Sequence, residues 1–343
     1  EESTVMSIQE WDHYLYAYWR PDFAAGSGSY YDPFIVYTVD DLKNVQYFPY
    51  SYFRLGANLD LVSESDWLPI GSSASPFYGN FDGMGYTISN LTINDNIDPD
   101  RGLFGYVSNA TISNINLVNI NFITTYNYAG GLVGSAAGNT TITNCSVQGV
   151  INGYQCTGGI LGQGIAGSYV HIEDCHTDVD ITSNAMGAAG GIAGYVLGGY
   201  IYRCSAIGDV YINPATSDHA GGLVGYNSDT LISNSYALGA VTGKNNVGGL
   251  VGYNTGTGND DITYCYSAGV VTGTSNYGGL VGILAGTGIV TSSYYDTDTS
   301  TQIDNDGRGV PKTTMVMQDA ASAASNYVGW DFATICDIVN GYY

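Results

Sequence analysis

Positive charge is scarce in this sequence. Its 343 residues include 8 Lys and Arg against 31 Asp and Glu, which gives a formal net charge of −23 at pH 7. A protein that binds nucleic acid neutralises phosphates with a basic face. The charge balance therefore excludes nucleic acid as a partner, and it disfavours anionic membrane surfaces for the same reason.

The chain also lacks long apolar runs and the common motifs of metal-dependent enzymes. No run of about 18 apolar residues occurs, so the sequence predicts no membrane-spanning helix. There is no Cys-x-x-Cys pair, and the histidines form no His-Glu-x-x-His motif, so zinc chemistry is not indicated. Acidic residues are scattered and not paired at repeated positions. We therefore expect no enzymatic activity and no catalytic residues. The histidines are His13, His171, His176 and His219.

Glycine, by contrast, is abundant, and it is arranged in a repeat. The phrase Gly-Gly-Leu-Val-Gly, or a close variant of it, occurs seven times, and the last six copies begin 28, 32, 31, 27 and 30 residues apart. A period of about 30 residues indicates a repeat architecture. The phrases begin at Gly102, Gly130, Gly158, Gly190, Gly221, Gly248 and Gly278.

The segments between the glycine phrases predict the type of repeat. Each contains three short β-prone runs that alternate apolar with polar residues and are separated by Gly, Asn, Asp, Ser or Thr. Three short strands and three turns make one coil of a parallel β-helix. We therefore predict an all-β fold, a β-solenoid of about seven coils stacked at roughly 4.8 Å, with short helical capping segments at the ends. Glycine is expected at the corners, because it tolerates positive φ and because neighbouring backbones pass closely there.

Two columns of buried side chains follow from aligning the repeats. The second contains four of the six cysteines, and it is either a ladder of small buried side chains or a set of disulfides between adjacent coils. Cys156 and Cys336 lie outside this ladder and are the better disulfide candidates. The first column is Leu132, Ile160, Ile192, Leu223, Leu250 and Leu280, and the second is Ile115, Cys145, Cys175, Cys204, Ser235, Cys265 and Ser293.

The repeat and its flanking segments resemble the GLUG-motif repeat proteins over about residues 32–343. Such proteins are secreted bacterial and archaeal surface proteins, often adhesin-like, and some bacterial IgA-cleaving metalloproteases carry the repeat beside a separate catalytic domain. The resemblance implies an extracellular or cell-surface location, with Glu1 as the mature terminus after removal of a signal peptide, and it supplies no shared active site. The matching entry motifs are Val39-Asp-Asp-Leu42, Tyr52-Phe-Arg-Leu55, Asp60-Leu61, Trp67-Leu-Pro-Ile-Gly71 and Phe81-Asp-Gly-Met-Gly-Tyr-Thr-Ile-Ser-Asn-Leu91, and the exit motifs are Ser293-Tyr-Tyr-Asp296, Pro311-Lys-Thr-Thr-Met315 and Gly329-Trp-Asp-Phe332.

The predicted organisation is one continuous solenoid with covered ends. It has an aromatic-rich arm or cap at 1–31, an entry region at 32–101, the GLUG-repeat solenoid at 102–295 and a C-terminal cap at 296–343. The arm lies outside the resemblance, and its aromatic residues favour either a cap over the open end or a docking arm on a neighbouring subunit. The interface candidates are Trp11, Tyr14, Tyr16, Tyr18, Trp19, Phe23, Tyr30 and Tyr31.

Acidic loops and sequons give two further sets of candidate sites. Two loops gather the hard oxygen ligands that calcium prefers, although neither has the EF-hand spacing, and solvated acidic turns are the alternative. Four Asn-x-Ser/Thr sequons are candidates for glycosylation, of which Asn139, in a predicted turn, is the best. The calcium candidates are Asp95, Asp98, Asp100, Asp296, Asp298, Asp304 and Asp306, and the sequons are at Asn90, Asn109, Asn139 and Asn144.

These features favour a structural subunit of an extracellular homopolymer, such as a filament, sheath or surface array. The ends of a solenoid are strand edges, which pair with another chain unless they are blocked. In this interpretation the main partner of the chain is another copy of itself. The alternative is a monomeric cell-surface adhesin or carbohydrate-binding module with blocked ends, in which some of the 31 tyrosines line a groove for glycans on surfaces or other cells.

Overall fold

Parallel strand pairing builds the described part of the chain. The computed structural model describes residues 23–94, 99–125, 127–213, 219–258, 261–303 and 308–332. Within these residues 36 strands, numbered β1–β36 along the chain, form three sheets of 15, 14 and 7 strands that we call sheets A, B and C. Each sheet is one face of a coil that repeats along the stack, and this confirms the predicted β-solenoid.

Sheet A extends from the first described strand to the last coil. Two of its strands are ten residues long and pass through a bend, so each joins two strands that the sequence predicted separately. The strands of sheet A are β1 Phe34–Val36, β2 Tyr52–Leu55, β4 Asn80–Asp82, β8 Phe104–Ser108, β9 Thr111–Ser113, β12 Val133–Ala137, β13 Asn139–Thr143, β16 Leu161–Gly164, β17 Tyr169–Glu173, β20 Ala193–Tyr202, β24 Val224–Ser233, β28 Val251–Thr255, β29 Ile262–Thr263, β33 Val281–Leu284 and β34 Val290–Thr291.

Sheet B forms the second face and ends at the C-terminal cap. Its strands are β3 Leu59–Asp60, β5 Thr87–Ser89, β6 Thr92–Ile93, β10 Asn116–Ile123, β14 Ser146–Gly153, β18 His176–Ser183, β21 Ser205–Ala206, β22 Val210–Ile212, β25 Tyr236–Ala237, β26 Val241–Thr242, β30 Tyr266–Ser267, β31 Val271–Thr272, β35 Tyr294–Asp296 and β36 Val310–Lys312.

Sheet C relates the coils directly to the glycine phrases. Its seven described strands each end at or just before the first glycine of one phrase, as the repeat count predicts. Sheets A and B begin earlier in the chain, so the entry region extends the stack beyond the coils that the glycine phrases mark. The strands of sheet C are β7 Asp100–Arg101, β11 Tyr128–Gly130, β15 Cys156–Gly158, β19 Ala188–Gly190, β23 His219–Gly221, β27 Asn245–Gly248 and β32 Ser275–Gly278.

Short helices lie near both ends of the described solenoid. The first begins at a capping box, in which Thr38 Oγ1 accepts a hydrogen bond from the Asp41 amide at 3.1 Å and the Asp41 carboxylate accepts one from the Thr38 amide at 2.9 Å. At the entry end the Phe23 ring stacks on Phe34 with centroids 4.5 Å apart. The helices are α1 Val39–Asn44, α2 Thr297–Ser300, α3 Thr314–Met317 and α4 Ala323–Asn326, with 3₁₀ turns at Val45–Tyr47 and Ala320–Ser322.

Both predicted columns lie in one continuous interior. Every member of the leucine column and of the cysteine column is buried. The cysteine column has a local reason for its small side chains. Cys204 Sγ donates to the carbonyl of Tyr202 at 3.3 Å, and Ser235 Oγ donates in the same way to the carbonyl of Ser233 at 2.8 Å. Cysteine and serine both occur in this column, and both reach the carbonyl two residues earlier.

The glycines of the repeat phrase have one of the two predicted roles. A Cβ on Gly221 would lie 2.0 Å from the Val224 carbonyl oxygen, and one on Gly222 would lie 2.2 Å from the Gly249 carbonyl oxygen of the next coil. These contacts are shorter than any side chain tolerates, so the phrase is a corner of close backbone approach. The expected positive φ is wrong for these positions, because none of the phrase glycines is among the residues with positive φ.

Positive φ belongs instead to a column of non-glycine residues just before the cysteine column. Asparagine is the usual non-glycine residue in this region, because its short amide hydrogen-bonds locally. Each member turns the chain from sheet A into sheet B and directs the next side chain into the core. The column is Asn114, Asn144, Asp174, Arg203, Asn234, Tyr264 and Ser292, with φ between 46° and 57°.

Candidate interaction surfaces and predicted site residues

The last coil of the solenoid carries no charged side chain. From Ile262 to Tyr295 the sequence has no Asp, Glu, Lys, Arg or His, although the flanking residues are Asp261 and Asp296. This stretch contains the final described strands of sheets A and C. Natural edge strands are commonly protected by charges, lysine above all. That protection is missing from this coil.

The strand edges of this coil form a surface that we call the exit edge. In the described residues β32 pairs only with β27, β33 only with β28 and β34 only with β29, so each has one unpaired side. Ser275, Asn276 and Tyr277 of β32 and Thr291 of β34 are exposed. Arg308 from the following segment donates from Nη1 to the Gly282 carbonyl, which covers one point of this edge.

Sheet B ends differently, because its last strand, β36, covers part of its edge. β36 pairs with β35 and contains Pro311, which has no N–H to offer a further strand. The cap packs against this end through an aromatic cluster in which the Tyr327 ring lies 5.0 Å from Tyr294 and 4.8 Å from Trp330. In the described residues the exit end is therefore partly closed on sheet B, where β36 covers β35 but β31 pairs only with β26, and it is open on sheets A and C.

The entry end presents a patch of exposed tyrosines. Tyr31 is 93% exposed and Tyr50 is 73% exposed, and Tyr30 and Tyr47 are also largely accessible. On the outer side of β1 the Ile35 amide donates to the Ala25 carbonyl at 3.0 Å. We call these four tyrosines the entry patch. Tyr30 and Tyr31, two of the interface candidates, thus lie on the surface.

The other interface candidates divide between the core and the undescribed segment. Phe23 is partly buried and packs against the core of the first coil, so it belongs to the cap at this end. The remaining five, Trp11, Tyr14, Tyr16, Tyr18 and Trp19, lie outside the described residues.

A stripe of stacked tyrosines runs along sheet A beside sheet C. The Tyr195 and Tyr226 rings are 4.4 Å apart and 13° from parallel, and those of Tyr226 and Tyr253 are 5.3 Å apart and 7° from parallel. His219 lies against Tyr226 and Tyr253, and its Nδ1 is 2.9 Å from Asn246 Nδ2. Burial lowers the pKa of His219 to about 4 and raises the pKa of Tyr195 to about 12. Because the rings cover one another, this stripe offers ring edges and hydroxyls, not open ring faces.

The calcium candidates are only partly within the described residues. Asp100 accepts a hydrogen bond from Ser135 Oγ. Asp296 caps α2 and accepts from Thr314 Oγ1 at 2.6 Å, and Asp298 accepts from the Thr314 amide at 3.0 Å. The described part of the chain contains no group of three or more His, Cys, Asp or Glu able to hold a metal ion. The other candidates, Asp95, Asp98, Asp304 and Asp306, lie outside it, and calcium binding stays a prediction.

The cysteines are buried thiols where the structure describes them. Cys145, Cys175 and Cys204 are free, so the alternative of disulfides along this part of the ladder is not realised. Cys156, a predicted crosslink residue, is also buried and free. Burial raises the pKa of Cys156 to about 11, which makes it a poor nucleophile. The other disulfide candidate, Cys336, lies outside the described residues.

The four sequon asparagines occupy two kinds of position. Asn90, Asn109 and Asn144 have φ of 60°, 52° and 51°, which places them at left-handed corners. Asn139 is exposed and begins β13, so it lies at the start of a strand and not in the predicted turn. The corner positions were not predicted, although an Asn before Cys or Ser recurs in the repeats and was the available signal.

Comparison with known proteins supports the repeat assignment. The GLUG motif matches residues 125–152 and 216–242, so the chain is a β-solenoid that carries the GLUG repeat. Halomucin of Haloquadratum walsbyi is 34% identical over 180 residues, which are 47% of this chain and 2% of halomucin. A "Putative Gly-rich membrane protein" of Evansella cellulosilytica is 35% identical over 136 residues, which are 37% of this chain and 16% of that protein. The chain thus spans only a small part of these relatives.

Solved structures show the same fold. A "putative immunoglobulin A1 protease" from Bacteroides ovatus superposes with a TM-score of 0.58 at 20% identity, over 90% of this chain and 91% of that one. A second structure, "IgA1 Protease", gives a TM-score of 0.50 at 21% identity, over 76% of this chain and 19% of that one. At this identity the likeness concerns the fold alone. No helix of the described residues is long and apolar enough to cross a membrane.

Proposed function

We propose that this chain is a non-enzymatic structural subunit of an extracellular homopolymer, a filament, sheath or surface array. The names of its relatives, halomucin and a Gly-rich membrane protein, fit a protein of the cell surface. The observation that carries the proposal is the exit edge, where sheets A and C end in the uncharged coil Ile262–Tyr295.

The charge distribution supports contact through this coil. Two copies with a net charge of −23 repel each other, and the repulsion is weakest where no charged group enters the contact. Strand edges offer rows of N–H and C=O groups that a second chain can pair with. A coil that offers free edges without carboxylates is therefore the part of this acidic molecule best suited to receive another copy.

The two ends of the solenoid differ, and this determines the type of assembly. The exit edge is a strand edge, whereas the opposite end presents the entry patch of exposed tyrosines, residues that interfaces favour. A contact between different surfaces of two copies is heterologous, and its repetition gives an open filament unless the rotation closes a ring. We therefore propose head-to-tail stacking, with the entry patch of one copy on the exit edge of the next.

The alternative is a monomeric adhesin or carbohydrate-binding module that uses the tyrosine stripe. Sugars bind aromatic residues through the open face of a ring, and the faces of Tyr195, Tyr226 and Tyr253 stack on one another. The stripe is thus better suited to stiffening the solenoid than to holding a glycan. This geometry favours the homopolymer over the alternative.

Electron microscopy and sedimentation velocity of the native protein test the proposal. We expect filaments or higher oligomers, and we expect assembly to strengthen between 0.05 and 0.5 M salt (~14 to ~4 Å Debye length), because screening reduces the repulsion between copies. A protein that stays monomeric at high concentration and at every salt concentration would contradict the proposal and favour the adhesin.

A further inference from the structure

Three of the four sequon asparagines are explained by the backbone. Asn90, Asn109 and Asn144 have φ between 51° and 60°, where asparagine is favoured over other side chains. Asparagine is needed at these corners whether or not a hydroxyl residue follows two positions later. The sequons at these three positions therefore arise from the repeat and are not by themselves evidence of modification.

The amide groups of these three residues are also engaged. Asn90 Nδ2 donates to Asp60 Oδ1 at 2.6 Å, and Asn144 Nδ2 donates to Asn114 Oδ1 at 2.7 Å. Asn109 Oδ1 accepts from the backbone amide of Asn139 at 3.1 Å, and Asn109 Nδ2 donates to Ser108 Oγ at 3.2 Å. A glycan is attached at Nδ2, the atom that donates the bond to the neighbouring coil in Asn90 and Asn144, so attachment at these two residues would crowd the contact between coils.

Asn139 differs from the others in its backbone conformation and in its side-chain hydrogen bonds. It begins β13 and its φ is not in the left-handed region, and it is exposed, as Asn109 and Asn144 also are. Among the described residues none forms a hydrogen bond with its side-chain amide. Thr141, whose hydroxyl completes the sequon, is partly exposed on the same strand. Asn139 is thus the one sequon asparagine whose identity neither the fold nor a hydrogen bond explains.

An aromatic surface lies directly beside Asn139. Tyr169 pairs with Asn139 in register on the adjacent strand β17, and this residue is 45% exposed. The ring lies edge-to-face against His171, with centroids 4.8 Å apart. Side chains in register on neighbouring strands lie about 5 Å apart, which is within reach of the first sugar on Asn139.

We propose that Asn139 carries an N-linked glycan, that Asn90, Asn109 and Asn144 do not, and that the first sugar packs against Tyr169. The co-reactant is a lipid-linked oligosaccharide supplied by the cell. Asn139 Nδ2 attacks the anomeric carbon and forms the C–N bond. The bond from that carbon to the lipid phosphate oxygen breaks, the lipid phosphate leaves with the electron pair, and the proton lost from Nδ2 passes to the solvent. Nothing is oxidised or reduced.

Peptide mass spectrometry of the native protein from its source cells tests the proposal. Chymotrypsin or elastase should be used, because the chain has only 8 Lys and Arg for trypsin. We expect the peptide with Asn139 to carry the mass of a glycan and the peptides with Asn90, Asn109 and Asn144 to be unmodified. An unmodified Asn139, or a glycan on any of the other three, would overturn the inference.

Matched variants separate the glycan from the fold. Asn139→Gln and Thr141→Ala should lower the mass of the intact protein by one glycan and leave its urea midpoint almost unchanged. Asn144→Gln should leave the mass of the glycan unchanged and lower the midpoint, since glutamine is disfavoured at a φ of 51°. A glycan that persists in Asn139→Gln contradicts the assignment.

The inference rests on the extracellular location in the proposed function, and protease treatment of intact cells separates the two. If external protease removes the protein and Asn139 is unmodified, the glycan assignment fails and the proposed location stands. If the protein is protected inside the cell and Asn139 is unmodified, both fail. Surface exposure together with a glycan on Asn139 supports both.

Discussion

Replacement of Leu223 by alanine would measure how much the leucine column contributes to stability. Leu223 is fully buried between its column neighbours Ile192 and Leu250. Its backbone is bonded on both sides, because the Ile192 amide donates to the Leu223 carbonyl and the Leu223 amide donates to the Leu250 carbonyl, each at 2.8 Å. The coils are thus fixed at their spacing, and the cavity left by the lost side chain cannot collapse.

The magnitude follows from burial and from this rigidity. Replacing a buried leucine by alanine lowers the free energy of unfolding by about 2–5 kcal/mol, with the larger values at sites that cannot relax. For Leu223→Ala we therefore expect a loss of about 3–5 kcal/mol. The matched control is Leu231→Ala, because Leu231 lies on β24, the strand that begins directly after Leu223, but is 38% exposed. Its expected loss is about 1 kcal/mol or less.

Urea unfolding followed by circular dichroism would measure both losses from the midpoint and the slope. The account predicts a clearly lower midpoint for Leu223→Ala than for Leu231→Ala at similar slope. Equal losses for the two variants would refute the assignment of the leucine column to a rigid interior.

Three further predictions concern individual positions. Asn234 lies at a left-handed corner, where its φ is 50°. Asn234→Gly should change the free energy of unfolding by less than about 1 kcal/mol, and Asn234→Val should lower it by about 1–3 kcal/mol, as measured from urea midpoints. Equal effects of the two variants would contradict a backbone role. Burial lowers the pKa of His219 from 6.5 to about 4, so the unfolded chain binds the proton more tightly than the folded chain does. The free energy of unfolding should therefore fall as the pH drops from about 6.5 to 4, and His219→Gln should make this fall less steep. An unchanged slope in the variant would count against the role of His219. Because burial raises the pKa of Cys156 to about 11, iodoacetamide at pH 8 should modify this thiol in urea but not in the native protein, and rapid native labelling would show that the site is accessible.

The periodic features could be predicted from the sequence because each is repeated in several coils. The strand arrangement, the leucine column and the cysteine column follow from aligning repeats, and a single aberrant residue such as Ile115 does not obscure them. The close backbone approach at the glycine phrase could also be predicted, because no other role explains why Gly222 and its equivalents lack a side chain.

Features that depend on the path between strands could not be predicted in the same way. The phrase glycines were expected to provide positive φ, but the turn into sheet B is made at Asn234 and its equivalents. Short side chains such as asparagine are typical of many loops, so the composition alone did not distinguish a corner from a loop. The engagement of Asn90 and Asn144 by neighbouring coils is likewise a contact between repeats, which only the folded stack shows.

One comparison tests the central claim, assembly through the exit edge, most directly. Thr291→Lys places a charge on the exposed edge strand β34, and Thr143→Lys places the same charge in the same column in the middle of the stack. Lysine at an edge is a natural barrier to strand addition. By sedimentation velocity, Thr291→Lys should shift the protein to monomer, and Thr143→Lys should assemble like the unmodified chain. Undiminished assembly of folded Thr291→Lys would contradict assembly through the exit edge.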